Sequence, residues 1–248
     1  MSGAPWSPET MCQIMEKMSI TEFTVAYGLT EASPVITQTD INAPIVKRAE
    51  TVGKKHPHVE IKIIDPQTGE ELEQGKTGEI CCRGYNVMKG YYKKPEMTAQ
   101  VIDPEGWLHT GDLGRMDEEG YYKIVGRLKD MIIRAGENVY SREIEDFFMT
   151  IEGIQAIQVV GVPDKKHGEI VVAFVIPKAN QSLAESYLRS VMENEIAKYK
   201  IPEHFFFVEE FPATASGKIQ KYKLREMAMR MLGLDEDDDF RPHPLTSQ

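Results

Sequence analysis

Apolar positions change their spacing part-way along the chain. Up to about residue 125 they fall in short alternating or continuous runs bounded by turn formers, which predicts strands. VEIKIID and GEICCRG bracket the turn-rich DPQTGEELEQGKTG and predict a hairpin with a long loop. GYYKIVGR, entered through a DEEG turn, predicts a further strand, and EFTVAYG predicts one ending at Gly28, before the polar loop LTEASP. A short amphipathic segment covers 8–18. Between about 45 and 125 the helical stretch is KPEMTAQVI, which Pro95 can open.

After Arg127 helices and strands interleave. SREIEDFFMT predicts a helix from Ser141, with Arg142 and Glu143 in its first turn, and IQAIQVVGV and EIVVAFVIP predict strands. SLAESYLRSVMENEIAKY has the clearest helical period, with Ser182 and Glu185 as a capping box. HFFFVEE predicts a strand and QKYKLREMAMRML a last helix closed by Gly233. A β-rich region followed by mixed elements indicates an α/β (α+β) chain of two domains, with the boundary near 126–130.

A length of 248 residues can bury two cores. A formal net charge of −10 argues against nucleic acid as a partner, although much of it is local: DEDDD at 235–239 reads as a solvated tail. No apolar run approaches the ~18 residues of a membrane span, and the N-terminus lacks the features of a signal peptide. The cytoplasm or a mitochondrial matrix is the expected location. Cys12, Cys81 and Cys82 form neither a disulfide framework nor a metal-ligand spacing; the adjacent pair should point to opposite faces of a strand as core thiols. His56 and His58 flank Pro57 without nearby acidic or thiol ligands, so no metal site is expected there.

GKT at 75–77 has the look of a nucleotide loop, but that pattern needs a glycine where Glu70 stands and a helix where a strand follows. It reads as a hairpin turn. Four other stretches carry candidate chemistry. VAYGLTE puts an aromatic, a hydroxyl and a carboxylate at a strand end, and GWLHTGD ends in Asp112, which can accept from two neighbouring sugar hydroxyls. VGRLKDMIIRAGENVYSREIE holds Arg127 at the expected boundary, and PATASGKIQK sets Lys218 after Ser216 and Gly217, on backbone that looks free to move. Taken singly, each also fits an ordinary role: Tyr27 as a core aromatic, Asp112 as a turn former, Arg127 as surface charge, Lys218 as part of a solvated turn.

In their order and wording, YGLTE, GYYKKPEMTAQVIDPEGWLHTGD, GRLKDMIIRAGENVYSREIE and PATASGKIQK resemble the successive signature motifs of the adenylate-forming enzyme superfamily. Within it they are most similar to the fatty acyl-CoA synthetases, the AMP-dependent synthetases and ligases. SGAP at 2–5 resembles the family's adenine-side motif, so the likeness runs from Gly3 to about Leu232. The resemblance implies the end of a large AMP-binding domain with a β-barrel subdomain over 1–126, a small mobile domain over 127–232 and a flexible acidic tail over 233–248. The family's phosphate-binding loop and most of its acid pocket precede the SGAP motif, so the chain is expected to be a C-terminal portion, inactive alone.

The resemblance also implies the cofactors ATP, Mg²⁺ and coenzyme A, a fatty acid substrate, and a role for each matching residue. Gly3, Ala4, Pro5, Tyr27 and Gly28 would line the adenine side, Thr30 would meet the α-phosphate, and Glu31 would hold Mg²⁺. Asp112 and Arg127 would bind the ribose. Lys218 would bridge the acid's carboxylate and the α-phosphate. Lys129 would be the pivot of a domain rotation bringing Gly136, Glu137 and Asn138 beside coenzyme A. An aryl-CoA ligase, a peptide-synthetase adenylation domain and a non-catalytic module that binds coenzyme A or a partner remain as alternatives, and oligomeric state is open.

Overall fold

The computed structural model describes residues 8–234 apart from Thr21, Asn180, Ser182, Asn194 and Ser216. Gly3, Ala4, Pro5, Ser182 and the acidic run at 235–239 therefore lie outside the described residues, as does the side chain of Cys12. The chain divides between Leu128 and Lys129 into two compact units.

The first unit opens with α1 (Pro8–Met18), followed by β1 (Ala26–Gly28), β2 (Val35–Gln38), α2 (Ile45–Glu50) and β3 (Lys54–Lys55). The three strands form an antiparallel sheet in that order. Then β4 (Val59–Ile64), β5 (Gly78–Gly84), β6 (Leu108–Met116) and β7 (Tyr122–Arg127) make a four-stranded antiparallel meander, with α3 (Pro95–Ala99) between β5 and β6. Cys82 packs with Ile36, Val59 and Leu108, whereas its neighbour Cys81 packs with Ile64 and Trp107. The two buried thiols thus serve opposite faces of β5, as alternation along a strand requires.

Two local expectations need correction. The strand expected over EFTVAYG shrinks to Ala26–Gly28, because Val25 turns its N–H to the Thr39 hydroxyl at 2.8 Å rather than to a ladder carbonyl. The helix α2 was not expected. Its six residues are too few to show a period, and it is held from outside: Lys47 reaches Asp117 at 2.6 Å and Glu119 at 2.7 Å.

The second unit contains β8 (Met131–Arg134), β9 (Glu137–Tyr140), α4 (Ser141–Met149), β10 (Ile154–Asp164), β11 (Gly168–Pro177), α5 (Glu185–Met192), β12 (His204–Phe207) and α6 (Lys221–Met231). Its sheet runs β10-β11-β8-β9, and β12 joins β11 in parallel. Alternate residues of β11 serve two cores. Val171, Ala173 and Val175 meet Ile144 and Phe148 of α4 and Leu188 and Met192 of α5, while Val172 and Phe174 meet Leu224 and Ala228 of α6. Helices therefore cover both faces, which explains the nearly continuous apolar run of β11. The helix expected from Ser182 starts later. Its N-cap is Ala184, with no side-chain cap bond, and Glu185 spends its carboxylate on Arg189 one turn along at 2.8 Å.

Candidate functional site

At the end of β1 the chain makes a tight turn whose fit depends on Gly28. A Cβ there would lie 1.6 Å from the Pro34 carbonyl oxygen, so no other residue lets β1 and β2 approach this closely. The preceding Tyr27 packs its ring among the core residues around Ile36 and Leu108 and around Ile63 and Ile80. Its hydroxyl donates to Asp112 Oδ2 at 2.9 Å. On the other side of the same carboxylate, Arg127 Nε lies 3.2 Å from Oδ1. Residues far apart in sequence thus meet at one carboxylate, because β6 and β7 pair with Asp112 opposite Arg127.

This carboxylate is poised. Burial raises the Asp112 carboxyl above its ordinary range, and the Tyr27 hydrogen bond and Arg127 charge pull it back only in part. Burial, and then the Asp112 charge, push the Tyr27 phenol far above its usual value, so the ring stays a neutral donor. Half of the Arg127 side chain is exposed, which leaves donors of its fork free for a ligand.

Thr30 and Glu31 open a short 3₁₀ turn immediately after β1, with Thr30 exposed. The Glu31 carbonyl accepts from the Met88 N–H, and its Oε1 accepts from the Tyr91 hydroxyl at 2.8 Å. That bond raises the Tyr91 phenol. Tyr91 belongs to GYYKKPE, a stretch quoted for its motif without a role for this side chain.

The remaining candidates lie in the second unit. Ala135 and Gly136 form the two-residue tip between β8 and β9, with φ of +51° and +86°. Two successive left-handed residues make a turn of the type favoured in hairpins, and glycine suits its second position. A Cβ on Gly136 would meet nothing within 4 Å, so backbone angle alone explains this glycine. Glu137 is exposed, and Asn138 keeps a buried Oδ1 without a hydrogen-bond partner. Lys129 sits in a 3₁₀ turn over Leu128–Asp130, directly after the division between the units.

Lys218 is exposed on a bonded turn rather than on free backbone. Its N–H donates to Thr214 Oγ1 at 3.1 Å, its carbonyl accepts from the Thr214 N–H at 2.8 Å, and Gly217 closes the turn at φ +80°. Three residues on, Lys221 Nζ reaches Ser141 Oγ at 2.9 Å, Glu145 Oε1 at 2.7 Å and the Val159 carbonyl at 3.2 Å. This anchor, which fastens α6 to α4 and β10, was not legible in the motif.

The AMP-binding enzyme family model matches residues 1–92, and that of the AMP-binding enzyme C-terminal domain matches 143–218. The chain belongs to the adenylate-forming AMP-binding enzymes. It is 50% identical over 94% of its length to YngI of Bacillus subtilis (strain 168), a protein provisionally named an acyl-CoA synthetase, and covers 43% of that relative. It is 43% identical, again over 94% of its length, to the mitochondrial medium-chain acyl-CoA ligase ACSF2 of Bos taurus, of which it covers 38%. The chain thus spans about two fifths of the length of these curated relatives.

Among solved structures, ATP-bound MatB from Rhodopseudomonas palustris superposes with a TM-score of 0.85 at 34% identity, over 93% of this chain and 45% of that one. The o-succinylbenzoate CoA synthetase of Bacillus subtilis, solved with its acyl-adenylate intermediate, gives 0.77 at 29% identity, over 97% of this chain and 46% of that one. The relatives include both acyl-CoA and aryl-CoA ligases. Among the described residues no helix is long and apolar enough to cross a membrane.

Proposed function

We propose that this chain is the C-terminal part of an AMP-forming acid–thiol ligase that activates a fatty acid with ATP and passes the acyl group to coenzyme A. One observation carries the nucleotide reading: the Asp112 carboxylate is held between the Tyr27 hydroxyl and Arg127 Nε, at 2.9 and 3.2 Å. A buried carboxylate fixed by two donors and backed by a half-exposed guanidinium suits a ribose, whose paired hydroxyls need an acceptor in a set orientation. The aliphatic assignment is supported by the acyl-CoA synthetase names of the most similar relatives.

In the first half-reaction the acid's carboxylate oxygen bonds to the α-phosphorus of ATP and pyrophosphate leaves. In the second the thiol sulfur attacks the acyl carbon and AMP leaves. Both reactants of the first step are anions, so position and compensating charge are what the protein must provide. Tyr27 and Gly28 would border the adenine, Asp112 and Arg127 would hold the ribose, Thr30 would donate to the α-phosphate, and Lys218 would compensate charge between that phosphate and the acid.

Glu31 fits Mg²⁺: one oxygen is tied to Tyr91, leaving Oε2 as a single hard ligand for an ion that keeps water and phosphate as its others. Bound there, the ion would neutralise phosphate charge. Gly136 and exposed Glu137, with Asn138 beside them, would border coenzyme A's pantetheine arm.

Because the chain covers only 43% of YngI, the 248-residue chain alone is expected to give no acid-dependent exchange of pyrophosphate into ATP. Robust exchange would overturn that. In the complete ligase, exchange driven by fatty rather than aromatic acids is expected, and Lys218→Ala should lower it by about 10²–10³ while sparing thioester formation from supplied acyl adenylate. Equal loss in both half-reactions would remove Lys218 from the first.

A further inference from the structure

Asp112 ends an excursion from the sheet. Across the β5–β6 ladder Glu79 faces Leu113 and Cys81 faces His109, so Thr110, Gly111 and Asp112 together stand opposite the single residue Ile80. Gly111 turns the bulge at φ +67°, and a Cβ there would meet nothing within 4 Å. Bulges leave backbone groups without ladder partners, and here side chains supply them. Glu79 Oε1 accepts the Gly111 N–H at 2.9 Å, and Thr110 Oγ1 donates to the Ile80 carbonyl at 2.7 Å and lies 3.1 Å from the Asp112 N–H, which it accepts. Glu79 Oε2 lies 3.0 Å from His109 Nδ1, the residue that opens the bulge.

Glu79 is almost wholly buried, at 6% exposure, a position that a carboxylate occupies only when its oxygens are satisfied. Its two oxygens clamp the bulge at its entry and its centre. Glu79, Cys81 and His109 also bring ligand-type atoms within 4.8 Å of one another. Those atoms are already engaged: the carboxylate binds Gly111 and His109, and burial, then the Glu79 charge, push the Cys81 thiol up, away from the thiolate a metal requires. The cluster is a hydrogen-bonded brace.

We infer that Glu79 is a positioning residue: its buried carboxylate fixes the bulge at 110–112 and so aims the Asp112 carboxylate at the nucleotide ribose. The inference rests on the ribose reading of Asp112 given above. Glu79 would act on the nucleotide through the Gly111 N–H and the backbone of Asp112 rather than through a contact of its own.

Two variants test it. Glu79→Met fills a similar volume with no strong acceptor, whereas Glu79→Gln keeps an amide oxygen for the Gly111 N–H. In the 248-residue chain, amide hydrogen exchange at Gly111 and Asp112 should accelerate at least about tenfold in Glu79→Met, the scale set by one lost hydrogen bond. It should return close to the parent rate in Glu79→Gln, while the amides of Ile63 and Cys82 in the same sheet keep theirs. In the complete ligase, Glu79→Met should raise KM for ATP about tenfold with kcat little changed. It should also erase the preference for ATP over an analogue lacking both ribose hydroxyls, as Asp112→Ala is expected to.

Unchanged exchange at Gly111 and Asp112 in Glu79→Met overturns the inference. So does a Glu79→Met ligase that still discriminates the analogue when Asp112→Ala no longer does. If Asp112→Ala itself discriminates normally, the ribose reading falls, and the exchange rates alone then decide whether Glu79 positions Asp112.

Discussion

Asp112 carries a charge that the fold holds at a cost. Its carboxyl is raised because burial outweighs the help of Tyr27 and Arg127. An acid whose folded pKa exceeds its unfolded value destabilises the native state fully above the folded pKa, and not at all below the unfolded one. Asp112→Asn keeps an acceptor for the Tyr27 hydroxyl without the charge. At neutral pH it is expected to unfold at higher denaturant than the parent, with the difference closing as pH falls below the ordinary carboxylate range, and to bind ATP less well. A variant less stable than the parent at neutral pH would show that Arg127 outweighs burial. Sites that trade stability for function in this way are common among enzymes.

At the scale of elements, α6 is the last helix among the described residues and is pinned by Lys221, whose ammonium reaches Ser141, Glu145 and Val159. Glu145 Oε1 also accepts the Val159 N–H at 2.9 Å, so one carboxylate ties α4, β10 and α6 together. Lys221→Met should cost the second unit about 1.5–3 kcal/mol, the range for hydrogen bonds to charged groups. Denaturant unfolding monitored by Trp107, in the first unit, should barely change. A midpoint for the second unit within error of the parent would show that the anchor contributes nothing.

Elements set by apolar packing were readable from period alone: β10, β11, α4 and α6 fall where the pattern put them. Those decided by side-chain bonds were not. The hydroxyl of Thr39 shortens β1, the pairing of Lys47 with Asp117 supports α2, and the bond of Arg189 to Glu185 accompanies a later start to α5. The same holds at the candidate site. Tyr27, Asp112 and Arg127 stand in quoted motifs, whereas Glu79 lies 32 residues before the Gly111 N–H it accepts, in a strand that reads as core. A buried acid inside an apolar strand, GEICC, was the available signal.

For the whole molecule, the proposed two-step reaction asks the second unit to turn about Lys129, which directly follows the division between the units. Proline at that position would fix φ and remove one of the two rotations a pivot needs. Lys129→Pro in the complete ligase is expected to keep adenylate formation and lose most thioester formation, whereas Lys129→Ala keeps both. Half-reaction rates measured separately check this, and thioester formation at the parent rate in the proline variant would remove Lys129 as pivot. The division has another consequence, for inheritance. Every core cluster among the described residues draws its members from one unit alone. A recombination junction at Leu128–Lys129 would therefore leave each of these clusters whole, so the second unit would carry its own packing with it.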